Sequence, residues 1–227
     1  GRTTALIRPF GATALKPTEL TPAPISLRSR VHDYGGGVLC CGVEGETLVL
    51  VWIADGNLWR QDWRLPPLGN NRPEPLMQPS KLTRDGDWQL ADGLLDLNRH
   101  RWLGIREING VDQLVSAELD QTYQEPSLLH QPADFAGYAS LSPDGKQLAW
   151  VEWQQPAMPW DSSQLWCADL CPSGDLSQPR VIAGGAGVSV FQPQWLPDGS
   201  LLVAEDSSGW WNLKRRSPGA TSWDHPW

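Results

Sequence analysis

The stretch LSPDGKQLAWVEW (141–153), followed by SQLWCADL (163–170), decides the fold of this 227-residue chain. In Ser142-Pro143-Asp144-Gly145, proline presets φ at the second turn position and glycine accepts the positive φ that follows. Leu148, Ala149, Trp150 and Val151 then form a continuous apolar run, the pattern of a strand buried on both faces. The next strand is centred on Leu165. The same order of turn, strand and Leu-centred strand returns in QWLPDGSLLVAEDSSGWWNLKRR (194–216), where Leu201 to Ala204 is the apolar run.

Weaker copies precede these two, and the Leu-centred strands measure the period. Leu58, Leu114, Leu165 and Leu213 are separated by 56, 51 and 48 residues, and Asp144 and Asp198 by 54. Asn98-Arg99 stands where the second copy should turn, 46 residues before Asp144. Thr47 to Ile53 and Trp102 to Ile105 supply the matching apolar runs. A period near 50 with about four short strands per unit is that of a propeller blade. The expected fold is therefore all-β: an incomplete β-propeller of about four blades, each a four-stranded antiparallel sheet. The blade-like units fall at roughly 30–65, 76–120, 135–171 and 190–217, in one partial propeller domain over 1–227. No helical periodicity is found, and the 20 prolines and 22 glycines sit mainly between the strands.

A net charge of −8 with dispersed basic residues opposes nucleic-acid binding, which needs a clustered basic face. No run of 18 apolar residues exists to span a membrane, and GRTTALIRPFG lacks a signal-peptide core. Fourteen tryptophans against three phenylalanines point to large buried rings between sheets, each needing a partner for its indole N–H. Cys40, Cys41, Cys167 and Cys171 read as buried thiols of a reducing compartment, so the expected location is the cytoplasm. Adjacent Cys40 and Cys41 point to opposite faces of a strand and cannot share one ion.

Catalytic chemistry finds little support in the residues. No G-x-S-x-G elbow occurs, and the nearest stretch, Gly185 to Ser189, has the wrong order. His100 and His130 read as turn and connector residues, and neither metal nor cofactor is expected. Carboxylates able to pair for glycoside hydrolysis are Asp33, Asp55, Glu107, Glu152 and Glu205, with Glu107 and Glu205 placed just after strands. The segment Arg30-Val31-His32-Asp33-Tyr34-Gly35-Gly36-Gly37 differs from these. Its glycines permit positive φ or close backbone approach, and His32, Asp33 and Tyr34 form a compact polar cluster. That cluster either faces a ligand or latches the start of the following strand.

At these residues the chain resembles the propeller of the prolyl oligopeptidase family, in its acylaminoacyl-peptidase-like and dipeptidyl-aminopeptidase-like members. RVHDYGGG (30–37) is similar to R-V-H-E-Y-G-G-G, with Asp33 where the family usually has Glu. SPDGKQLAWVEWQQPAMPWDSSQLW (142–166) resembles S-P-D-G-x-x-L-A-W…M-P-W-D-x-x-x-L-W. FQPQWLPDGSLLVAEDSSGWWNL (191–213) resembles F-Q-P-x-W-x-P-D-G…S-G-W-W-N-L. Three long matches in order cover most of the chain.

The resemblance implies a propeller that precedes an α/β-hydrolase domain in the same chain, that domain holding the Ser-Asp-His triad. Gly1-Arg2-Thr3 looks like part of the family's early G-G-R segment, and the residues end soon after a fourth unit. No catalytic residue therefore carries over. The implied role is a non-catalytic, substrate-gating segment of a serine peptidase that admits short peptides and excludes folded proteins. The alternative is a stand-alone TolB-like propeller that binds a protein partner, and a propeller glycosidase ranks third. Four blades without closing partners leave apolar faces uncovered, so poor solubility is expected of the segment alone.

Overall fold

The computed structural model describes residues 1–8, 16–66 and 72–226. Its decisive hairpin forms as the turn chemistry dictates. The Gly145 N–H donates to the Ser142 carbonyl at 2.8 Å, and Gly145 adopts φ 67°. The Ser142 hydroxyl donates to Asp144 Oδ1 at 2.7 Å and accepts the Gln147 N–H at 2.9 Å, which locks the turn from inside. The second copy repeats it, with the Gly199 N–H on the Leu196 carbonyl at 2.9 Å and φ 80°.

The chain divides into two compact units. The first comprises residues 1–102 and 117–126. It contains β1 (Leu6–Ile7) and β2 (Thr18–Glu19), a two-stranded ribbon, then β3 (Leu39–Glu44), β4 (Thr47–Ala54), β5 (Asn57–Arg64), β6 (Glu74–Pro75) and β7 (Ser80–Lys81). Strands β3, β4 and β5 form an antiparallel meander, and both β6 and β7 pair with β5. Strand β4 reads TLVLVWIA and is buried almost throughout, as an apolar run without alternation requires. One face packs Leu48, Leu50, Trp52 and Ala54 against Ala5, Leu20 and Leu27. Each such aliphatic side chain contributes about 1.5–3 kcal/mol by burial.

A second sheet follows, in the order β11-β10-β9-β8, from β8 (Gln89–Asp96), β9 (Arg101–Ile108), β10 (Val111–Glu118) and β11 (Ser127–His130). Strands β9 and β10 are divided between the units. The turn expected at Asn98-Arg99 is present as a 3₁₀ turn, Leu97–Arg99, closed by His100 in the left-handed region. Asn109-Gly110, with φ 53° and 79°, makes the tight β9–β10 hairpin, the conformation such dipeptides favour.

The second unit comprises residues 103–116 and 127–227. Its third sheet contains β12 (Phe135–Leu141), β13 (Gln147–Trp153), β14 (Gln164–Leu170) and β15 (Leu176–Gly184), paired in chain order. The fourth has β16 (Val190–Trp195), β17 (Leu201–Glu205) and β18 (Asn212–Arg216). These two sheets pack through Ala149, Val151 and Leu165 on one side and Val190, Leu201 and Val203 on the other. The Ser163 hydroxyl clamps the contact, donating to the Val190 carbonyl at 3.0 Å and accepting its N–H at 2.9 Å.

Two sequence readings need correction. Leu58, Leu114 and Leu165 are wholly buried, but Leu213 is 42% exposed. Likewise β17 alternates buried and half-buried residues, whereas β13 is buried throughout its centre. Repetition of a motif reports the hairpin, whereas burial depends on what covers it. The tryptophans also divide: Trp52, Trp102 and Trp150 lie in the core, while Trp160, Trp210 and Trp211 are exposed. Two 3₁₀ turns are the only helical elements among the described residues.

Candidate functional site

The first strand of each of the last three sheets carries one non-glycine residue in the left-handed region: Asp92 in β8, Tyr138 in β12 and Gln192 in β16, with φ of 54°, 56° and 52°. In β12 the pairing register slips between Gly137 and Ser140, and in β16 between Phe191 and Gln194. These are β-bulges, which re-aim side chains and recur beside functional sites. In the second unit they gather rings at the sheet edges. Tyr138 packs on Phe191 with centroids 4.7 Å apart, and Phe191 meets Trp211 edge-on at 6.0 Å. Tyr138 and Trp211 remain 41% and 51% exposed, and Trp210 beside them 80%. Sequence reasoning singled out SGWWNL but missed the bulges, which have no residue signature of their own.

The predicted cluster His32, Asp33 and Tyr34 lies on a 3₁₀ turn, Val31–Asp33, in the first unit. His32 and Asp33 both have positive φ, at 49° and 63°, a costly conformation for consecutive non-glycine residues. His32 is half-buried, Asp33 is exposed, and Tyr34 is 98% exposed. The glycines that follow make the close approach. The Gly37 N–H donates to Asp92 Oδ1 at 2.6 Å, and its carbonyl accepts the Asp92 N–H at 2.9 Å. A Cβ on Gly36 would stand 2.7 Å from that of Ala91.

The five candidate carboxylates lie on separate elements of the fold. Asp55 sits in the Asp55-Gly56 turn with φ 51°. Glu107 lies within β9, not after it, and accepts the Gly110 N–H at 3.1 Å. Glu205 ends β17, where it pairs with Lys214 and accepts the Ser207 hydroxyl at 2.9 Å. Glu152 accepts the Trp150 indole N–H at 2.6 Å and contacts His130 Nε2 at 2.7 Å. His130 is thus no connector residue: it ends β11, with its ring 5.1 Å from Trp150 and 5.7 Å from Trp166. Its partners lie 20 to 36 residues on in the chain, beyond local pattern reading. His100 is exposed at its turn, as read from the sequence, within 3.7 Å of Asp120.

The cysteines correct a further expectation. All four are free thiols: Cys167 is buried, Cys40 and Cys171 are half-buried, and Cys41 is exposed. Both Cys40 and Cys41 lie on β3, where successive side chains point to opposite faces of the sheet, leaving Cys40 half-buried and Cys41 exposed. Burial, with a smaller push from Cys41, raises the Cys40 thiol to about 12, against a hydrogen bond from Trp102. Among the described residues no helix is long and apolar enough to cross a membrane, and no three His, Cys, Asp or Glu side chains group as metal ligands.

No protein-family model and no curated protein sequence matches the chain. Solved structures do. A puromycin hydrolase is 28% identical with a TM-score of 0.76, over 92% of this chain and 33% of its own. A puromycin-hydrolyzing peptidase of Mycobacterium tuberculosis is 28% identical with a TM-score of 0.79, over 100% of this chain and 35% of its own. A putative TolB from Agrobacterium tumefaciens, 15% identical with a TM-score of 0.57, shares the fold over 92% of this chain.

Successive antiparallel meanders with these neighbours define a β-propeller. Within that class, the chain is similar over nearly its whole length to part of these puromycin-hydrolysing enzymes, in keeping with its resemblance to the propeller of the prolyl oligopeptidase family. It spans about a third of the length of the puromycin-hydrolysing chains it matches.

Proposed function

We propose that this propeller gates a serine-peptidase active site, admitting short peptides to an α/β-hydrolase domain of the same chain. The observation that carries the reading is the 28% identity maintained over 92–100% of the chain with two puromycin-hydrolysing enzymes. Propeller blades surround a central channel, and the bulged first strands are suited to present side chains along such a passage. On this reading Tyr138, Phe191 and Trp211 of the second unit offer aromatic faces to a passing peptide; for the first unit, the His32-Asp33-Tyr34 turn is a separate candidate for polar substrate contacts. The propeller itself performs no chemistry and takes no cofactor. A soluble cytoplasmic enzyme is the setting that fits this role.

A chimera tests it. This chain replaces the corresponding third of a puromycin hydrolase, and hydrolysis of short peptides and of a denatured protein is compared. Retained short-peptide cleavage with little action on the long chain supports gating. Equal cleavage of both by a folded chimera refutes it. Reading the genomic DNA past codon 227 for a G-x-S-x-G separates this reading from a TolB-like binding module, which has no need of one.

A further inference from the structure

A cleft in the second unit, lined by both charged and apolar side chains, lies outside the proposed gating role. The turns Ser142–Gly145 and Leu196–Gly199, with the Ser217–Ala220 turn after β18, frame a cavity of about 710 Å³. That volume lies within the range of small-molecule sites. Cys167, buried at 2% exposure, lines it together with Arg180 of β15 and Arg216 of β18.

The acids of the cleft are already engaged. Asp144 accepts the Ser142 hydroxyl, and Asp198 accepts the Ser200 N–H and pairs with Arg215. Both carboxyls are held below their ordinary value, Asp144 chiefly by Ser142 and Asp198 chiefly by the Ser200 backbone. Asp169 accepts Gln147 Nε2 at 2.7 Å and lies 3.7 Å from Arg180.

Arg216 is different. It is half-buried, its Nε donates to the Ala220 carbonyl at 2.6 Å, and its two Nη groups have no hydrogen bond or ion pair among the described residues. A guanidinium partly removed from water without a counter-charge is unfavourable, and its planar fork matches a carboxylate or phosphate. Arg180 supplies a second cation, with Nη1 on the Gln178 carbonyl at 3.2 Å. Arg180 and Arg216 line the same cleft, and both oppose the upward push of burial on the Cys167 thiol.

We propose that this cleft binds a small oxyanion, the carboxylate or phosphate of a metabolite or peptide end, on the Arg216 fork with Arg180 as the second cation. The test titrates the whole chain calorimetrically with sodium phosphate and, separately, N-acetylglycine, at ionic strength matched with sodium chloride. Saturable binding of either anion is expected, weakened about tenfold or more in Arg216→Gln and less in Arg216→Lys and Arg180→Gln. Arg64→Gln, in the other unit, leaves binding unchanged. Phosphate binding alone points to a phosphorylated ligand, and N-acetylglycine alone to a peptide carboxylate; both outcomes support the site. No saturable heat above chloride, or full affinity in folded Arg216→Gln, overturns it. Should that variant not fold, Arg216→Lys and Arg180→Gln decide, since full affinity in both also overturns the proposal.

Discussion

Replacing Gly93 by alanine tests whether the core of the first unit is packed as described. A Cβ at that position would fall on the indole Nε1 of Trp102, 2.5 Å from Cε2 and 2.9 Å from Cδ1. Trp102 is 1% exposed and donates a hydrogen bond to Cys40, so its ring has no free direction in which to yield. Overpacking a well-filled core costs about 1–3 kcal/mol, and a contact with a fixed ring belongs near 3. For a chain of this length that lowers Tm by about 6–12 °C. Thermal unfolding of Gly93→Ala followed by tryptophan fluorescence measures it. Trp102→Leu vacates the colliding atoms, so Gly93→Ala should cost little in that background, a coupling of about 2 kcal/mol. A Tm for Gly93→Ala within a degree of the parent, or strict additivity of the two changes, would refute this packing.

Glu152→Ala leaves the Trp150 and His130 nitrogens without their shared acceptor, at a cost of about 1–3 kcal/mol in urea unfolding. Glu152→Gln keeps an acceptor and should cost less; equal losses would exclude that role. The raised Cys40 thiol stabilises the fold fully below its unfolded value of 9.0, and that contribution disappears as pH rises toward about 12. Stability should therefore decline across that window, and less steeply in Cys40→Ser; parallel profiles would count against it. Asp144 and Asp198, lowered from 3.8, contribute above that value and lose the contribution as pH falls through their folded values. Tm should be level from pH 7 to about 5 and fall below about 4, and the fall should be shallower in Asp144→Asn. Iodoacetamide at pH 8 should modify exposed Cys41 first and Cys167 last; early labelling of Cys167 would contradict its burial.

Much of this fold is legible in local chemistry. Pro-Asp-Gly turns specify hairpins because proline and glycine supply the two dihedral conditions the turn needs. Apolar runs such as LVLVWI and LAWV identify strands buried on both faces. Other features depend on partners distant in the chain. The outer strand β15 reads LSQPRVIAG, half-exposed and nearly featureless, and forms because β14 offers it an edge. His130 reads as a connector residue until Glu152 and the two tryptophans are brought to it. The predicted polar cluster sits on a turn with a solvent-exposed tyrosine, and Gly37 of the same segment makes two hydrogen bonds with Asp92, 55 residues away.

By itself, then, the sequence determined the repeated hairpin, the all-β class and the family resemblance, because turn dihedrals and strand periodicity are properties of neighbouring residues. Tertiary structure alone decided which repeats are covered and which side chains meet. Leu165 and Leu213 occupy the same place in the same motif, yet one is wholly buried and the other 42% exposed. Likewise, the cleft around Arg216 exists only where turns from two packed sheets are brought together. Burial and convergence depend on what packs against a residue, and no local pattern contains its distant neighbours.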